Sequence, residues 1–159
     1  MSRKESRENA LKLLYSDLIN QSTPVQELQE LFLRDYPLDA PDLQYWKTLI
    51  SGVTAHAEAL DRVIDCYLTD WTVKRIPKLD LLILRIALYE ILYIDDVPNN
   101  VAIAEAVRLS KLYCDDDARL YINAVLGHIE RKLKGSGMPL DASHAQDLLS
   151  YLTEEESLE

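Results

Sequence analysis

Residues 80–113, DLLILRIALYEILYIDDVPNNVAIAEAVRLSKLY, followed by RLYINAVLGHIERKL at 119–133, decide the fold. Leu81 to Leu92 is apolar nearly all the way round a helix, interrupted only by Arg85 and Glu90. A helix of that kind has no polar face to give to solvent, so other helices must enclose it. The connection DDVPNN is short and polar, which returns the next helix against the first. Pro77 and Pro98 punctuate the two starts, predicting helices over 78–93 and 99–113. Asp115, Asp116 and Asp117 place N-cap candidates and favourable negative charge ahead of a further helix over 118–133.

Upstream, the pattern stays helical. Leu11, Leu14, Tyr15 and Leu18 form one stripe of a helix over 3–20, and Ser2 with Glu5 has the spacing of a capping box. Thr23-Pro24 reads as an N-cap followed by a first-turn proline, opening a short helix that ends before Tyr36-Pro37. Two stripes follow, Leu43 to Val53 and Leu60 to Leu68. Ser51-Gly52 between them is a weak breaker, so one helix and two are both open. Trp71 to Pro77 reads as a linker. Gly135-Ser136-Gly137 has flexible-linker composition, and residues 135–159 are expected to be a flexible acidic tail, with an extension added by cloning as the alternative.

Glycine is scarce, at 4, and apolar residues reach 48%, which favours a helical core over a sandwich or barrel. No apolar run approaches the ~18 residues of a membrane span, and no secretory signal pattern opens the chain. Cys66 and Cys114 lack metal-ligand spacing and read as reduced thiols of a cytoplasmic protein. The net charge of −10 argues against general nucleic-acid binding. Its distribution complicates that. Arg3, Lys4, Arg7 and Lys12 crowd the first helix, whereas acids accumulate after Asp141. Cations at a helix N-terminus oppose the dipole, a cost of up to ~1 kcal/mol each that packing does not explain.

Enzyme chemistry finds no support. Neither a phosphate loop nor a nucleophile elbow is present, and His56, His128 and His144 lie on separate segments. Glu90 and Glu105 read as carboxylates paired with neighbours such as Arg85 or Lys111 rather than as an acid/base pair. The aspartate run lacks the alternating ligands and central glycine of a calcium loop. No metal and no cofactor are expected. Single-stranded RNA needs cations for phosphates and flat rings for bases. Arg3, Lys4 and Arg7 with Tyr15 meet that need only weakly, and composition alone favours a solvated helix end; Tyr121 is a second ring at the start of the last core helix, with simple packing as its alternative.

The ordered set Trp71, Arg75-Ile76, Asp80, Ile83-Leu84-Arg85-Ile86-Ala87, Tyr89-Glu90, Asp96-Val97-Pro98, Val101-Ala102-Ile103, Glu105-Ala106, Lys111 and Ile122-Asn123-Ala124-Val125-Leu126 resembles the NusB family of transcription antitermination factors. The opening SRKESRENALKLLY looks like that family's arginine-containing first helix, so the resemblance covers about 2–133. It implies an all-α bundle of about seven helices in two packed subdomains, about 1–70 and 71–134. It also implies a non-catalytic factor that binds the boxA element of ribosomal RNA with NusE, a ribosomal small-subunit protein, in the transcribing RNA polymerase complex. By position, Arg3, Lys4, Arg7, Tyr15, Asp117 and Tyr121 become RNA-contact candidates, and Asp80, Arg75 and Ile76 candidates for the NusE surface.

The chain departs from the family pattern at Glu5, which interrupts the basic opening, at Ala104, and at Ala124 in place of glycine. Tyr121 in place of phenylalanine keeps a stacking ring. Two alternatives stand beside this reading. One is an RNA-positioning module related to those of ribosomal RNA cytosine methyltransferases, which the length of 159 residues disfavours. The other is a homodimeric interaction protein with weak RNA binding.

Overall fold

A computed structural model describes residues 3–157, with side chains described as far as Glu154. Ser2, and with it the expected capping box, lies outside the described residues. The described chain holds seven α-helices and no strand: α1 Arg3–Ile19, α2 Val25–Asp35, α3 Ala40–Tyr67, α4 Lys78–Tyr93, α5 Asn99–Tyr113, α6 Ala118–Lys134 and α7 Ala145–Ser157, with a 3₁₀ turn at Ala142–His144. None of them is long and apolar enough to cross a membrane. The chain divides into two compact units, Met1–Ala55 and His56–Glu159.

In the first unit α1 packs on α2. Leu11, Leu13 and Leu14 are buried on α1 and Leu28 on α2. The Phe32 ring stacks on Trp46 of α3, centroids 5.3 Å apart. Ser6 ties α1 to α3 by donating to the Asp42 carbonyl at 3.0 Å.

The second unit is built around α4, against which α5, α6, α7 and the 3₁₀ turn all pack. Every residue from Asp80 to Leu92 is buried except Arg85, as the nearly unbroken apolar stretch requires. Arg85 is satisfied by a two-bond fork onto Asp61 of α3, both bonds at 2.7 Å. Glu105 takes Arg108, one turn away, at 2.9 Å. Arg85 thus takes Asp61 rather than Glu90, and Glu105 takes Arg108 rather than Lys111, because long side chains pair with what the fold brings to their tips.

The helix starts also differ in detail from expectation. Pro24, rather than Thr23, stands at the N-cap of α2, and no side chain caps it. Pro77 and Pro98 do the same for α4 and α5. Asp117 holds the N-cap position of α6 without a side-chain capping bond, so its charge acts only through the helix dipole.

Gly52 is buried inside α3, which runs unbroken from Ala40 to Tyr67. A helical glycine costs only about 1 kcal/mol, less than the apolar burial of Leu49, Ile50 and Val53 around it returns. Beyond Gly135 the chain is more ordered than its composition suggests. Leu148, Leu149 and Leu152 of α7 are buried, the Tyr67 hydroxyl donates to the Leu152 carbonyl at 3.1 Å, and the Ala142 amide donates to Asp95 Oδ1 at 2.7 Å.

Candidate nucleic-acid interface

The segment between α3 and α4 is a hydrogen-bonded turn. The Val73 amide donates to Asp65 Oδ1 at 2.8 Å, and the Arg75 and Ile76 amides both donate to the Thr72 carbonyl, at 2.9 and 3.1 Å. The turn buries Ile76 and leaves the Trp71 indole 57% exposed. Arg75 is exposed beside it. Asp80 follows in the first turn of α4, where the helix dipole favours a negative charge, yet its side chain is only 3% exposed.

That burial has a purpose visible in the partners. The Tyr121 hydroxyl, from the first turn of α6, donates to Asp80 Oδ2. The Cys114 thiol, at the C-cap of α5, also bonds the Asp80 carboxylate. One carboxylate thus joins the start of α4, the end of α5 and the start of α6. Burial, then the bond to Asp80 and its charge, pushes the Tyr121 phenol up from 10.0. The same causes push the Cys114 thiol up from 9.0. Both groups stay protonated, as donors to a carboxylate must.

Trp71, Arg75, Pro77, Asp80, Asp117 and Tyr121 line a cleft of about 280 Å³. Asp115 and Asp117 are exposed at it. Exposed carboxylates accept hydrogen bonds from the amino and imino groups of nucleobases, and an aromatic wall stacks on their faces. Five residues singled out in the sequence, Arg75, Ile76, Asp80, Asp117 and Tyr121, therefore meet at one cleft. Trp71, which the sequence reading gave no binding role, meets them there; its signal was a large ring in a polar linker.

The remaining four candidates lie on α1, in the first unit. Lys4 is exposed and Tyr15 half-buried. The Arg3 guanidinium lies 4.2 Å from the centroid of the Tyr45 ring, and that of Arg7 5.9 Å from it. Arg3 is exposed, whereas Arg7 is only 4% exposed and is part of the packing of α1. Tyr45, the ring that holds both arginines, carried no signal in the sequence.

No group of three or more metal-ligating side chains exists among the described residues. The histidines are dispersed: His56 stacks on Tyr93, His128 meets Tyr67 edge-on, and His144 bonds Asp141.

The class is set by the fold, an all-α bundle shared with solved NusB structures. NusB of T. maritima is 26% identical with a TM-score of 0.77, the likeness covering 83% of this chain and 92% of that one. A structure of antitermination factors NusB and NusE in complex with dsRNA shares the fold with a TM-score of 0.73 at 23% identity, over 81% of this chain and 96% of that one. In sequence, the chain is 45% identical over 132 residues to the transcription antitermination protein NusB of Levilactobacillus brevis, covering 80% of this chain and 92% of that protein. The NusB family model matches residues 4–131, and the chain belongs to the NusB family of transcription antitermination factors.

Proposed function

We propose that this chain is a non-catalytic, cytoplasmic RNA-binding factor that takes the boxA element of ribosomal RNA together with NusE and enters the transcribing RNA polymerase complex. The observation that carries the reading is the Tyr121 ring, held by Asp80 in the wall of a cleft of about 280 Å³, in a member of the NusB family. The likeness to a fold solved with NusE and dsRNA supports it.

In this reading phosphates lie on Arg3 and Lys4, with Arg7 setting the α1 surface from within. Bases stack on Tyr15 and Tyr121, and Asp117 accepts from base amino groups. NusE docks on the turn at Arg75, the exposed member of its three candidates. Ile76 and Asp80, both buried, support that turn from beneath.

The test is an electrophoretic mobility shift of boxA RNA with and without purified NusE. Binding should be tighter with NusE and should weaken steeply as salt rises, because phosphate contacts release counterions. No shift at any NusE concentration would remove the reading.

A further inference from the structure

Trp71 and Tyr121 line not one cavity but two. The second, of about 250 Å³, is completed by Tyr67, Val125, His128 and Arg131 among others. The chemistry differs on the two sides of this shared aromatic wall. The first cavity has the carboxylates of Asp80, Asp115 and Asp117 against the one guanidinium of Arg75. The second has no carboxylate in its lining, and Arg131 is its cation, with His128 beside it. Among the described residues no carboxylate pairs with Arg131.

The floor is rigid. Tyr67 is 4% exposed, its hydroxyl is tied to the Leu152 carbonyl, and its ring takes the edge of His128 with centroids 4.8 Å apart. Trp71, by contrast, is 57% exposed, one residue before a turn tied down at the Val73, Arg75 and Ile76 amides. A large ring held out in this way, beside a cavity with a cation at its edge, matches the two demands of a single-stranded nucleotide: a surface for the base and a charge for the phosphate. Cavities of this size lie at the low end of ligand pockets, which suits one base and not a larger body.

The geometry points to the second cavity as a binding site for one nucleotide of single-stranded RNA, its base on Trp71 and its phosphate on Arg131 and His128. The strand crosses the wall formed by Trp71 and Tyr121, base edges meeting the carboxylates of the first cavity and backbone meeting Arg131 of the second. Trp71 is then a stacking residue and Arg131 an anchoring residue of the RNA surface. This assignment rests on the RNA-binding function proposed above.

The experiment uses the full chain with NusE and a single-stranded boxA RNA, read by fluorescence anisotropy and by tryptophan emission. Trp46 is fully buried, so an emission change on RNA binding reports Trp71. RNA should quench it, and Trp71→Phe should abolish the quenching while keeping most of the affinity. Trp71→Ala should weaken binding between about fivefold and a hundredfold, the range of one lost base stack. Arg131→Gln should flatten the slope of log affinity against log salt by about 0.7, one phosphate contact on a single strand. Circular dichroism confirms folding of each variant. If Tyr121→Ala weakens RNA binding while Trp71→Ala and Arg131→Gln bind as the unaltered chain does, the second cavity is not an RNA site and the broader function stands. Quenching by NusE alone, unchanged by RNA, would overturn the assignment in favour of a protein contact. Failure of the unaltered chain to bind RNA at all would overturn both.

Discussion

The Tyr121 hydroxyl donates to the buried Asp80 carboxylate, joining the first turn of α6 to the first turn of α4 across 41 positions of sequence. The bond turns a charge that looked like a surface contact into the support for a surface ring. The hydroxyl that a tyrosine adds to a phenyl ring lands here on a carboxylate.

Tyr121→Phe should therefore separate two roles. It leaves a 3%-exposed carboxylate with one partner fewer, so stability should fall by about 1.5–3 kcal/mol, the worth of a hydrogen bond to a charged group. RNA affinity should survive, since the ring remains, whereas Tyr121→Ala should lose about 1–3 kcal/mol of binding. Urea denaturation and anisotropy titration measure the two quantities on the same samples.

Alkaline pH should weaken the fold through this cluster. The Cys114 thiol and the Tyr121 phenol are both raised in the folded chain, from 9.0 and 10.0. A raised folded value means the folded state holds the proton more tightly. Its stabilisation is complete below the unfolded value and is lost as pH climbs toward the folded one. Stability should thus be insensitive to these two groups below about pH 8 and should decline from about pH 9 upward. Cys114→Ser with Tyr121→Phe should flatten that decline in urea midpoints measured from pH 8 to 11.

Arg85 and Asp61 make a two-bond fork, with side chains 14% and 26% exposed. Removing one partner leaves the other charge poorly solvated, so Arg85→Met should cost about 1–3 kcal/mol, below the 3–5 of a fully buried pair. The double variant with Asp61→Asn should cost less than the sum of the two single changes, the signature of direct coupling in a double-mutant cycle.

Leu152 of α7 is fully buried. Leu152→Ala should destabilise by about 2–5 kcal/mol in thermal or urea unfolding. A result within about 0.5 kcal/mol of the unaltered chain, typical of surface positions, would remove α7 from the core.

On α1, Lys4→Ala should flatten the salt dependence of RNA binding by about 0.7 and leave the melting temperature alone, because Lys4 is exposed. Arg7→Ala should lower both RNA affinity and the melting temperature, because Arg7 is 4% exposed and stacked near Tyr45.

Helix identity was legible wherever the governing signal is local. The bounds of α4 and α5 match expectation because Pro77 and Pro98 start them and the apolar period runs between. The continuity of α3 was not legible, since Gly52 is a local break that only packing around Leu49 and Val53 overrides. Nor was α7's place in the core, because three leucines on an acidic segment are ambiguous until a groove exists to receive them. In the site, Tyr121 stood out as a ring and Asp117 only as a helix cap until the resemblance gave it an RNA role, whereas Trp71 and Tyr45 did not stand out, and Asp80 was read as a surface charge.

By itself the sequence determined the all-α class, most helix limits and membership of a family, because these depend on periodicity, prolines and ordered motifs within short windows. Tertiary structure alone decided which charges meet: Asp61 with Arg85, Asp80 with Tyr121 and Cys114. It alone decided that Trp71 and Tyr121 share a wall between an acidic and a basic cavity. Partners 24 and 41 positions apart leave no trace in local pattern; their encounter is set by how apolar faces pack, and hydrogen bonds form with whatever that packing delivers.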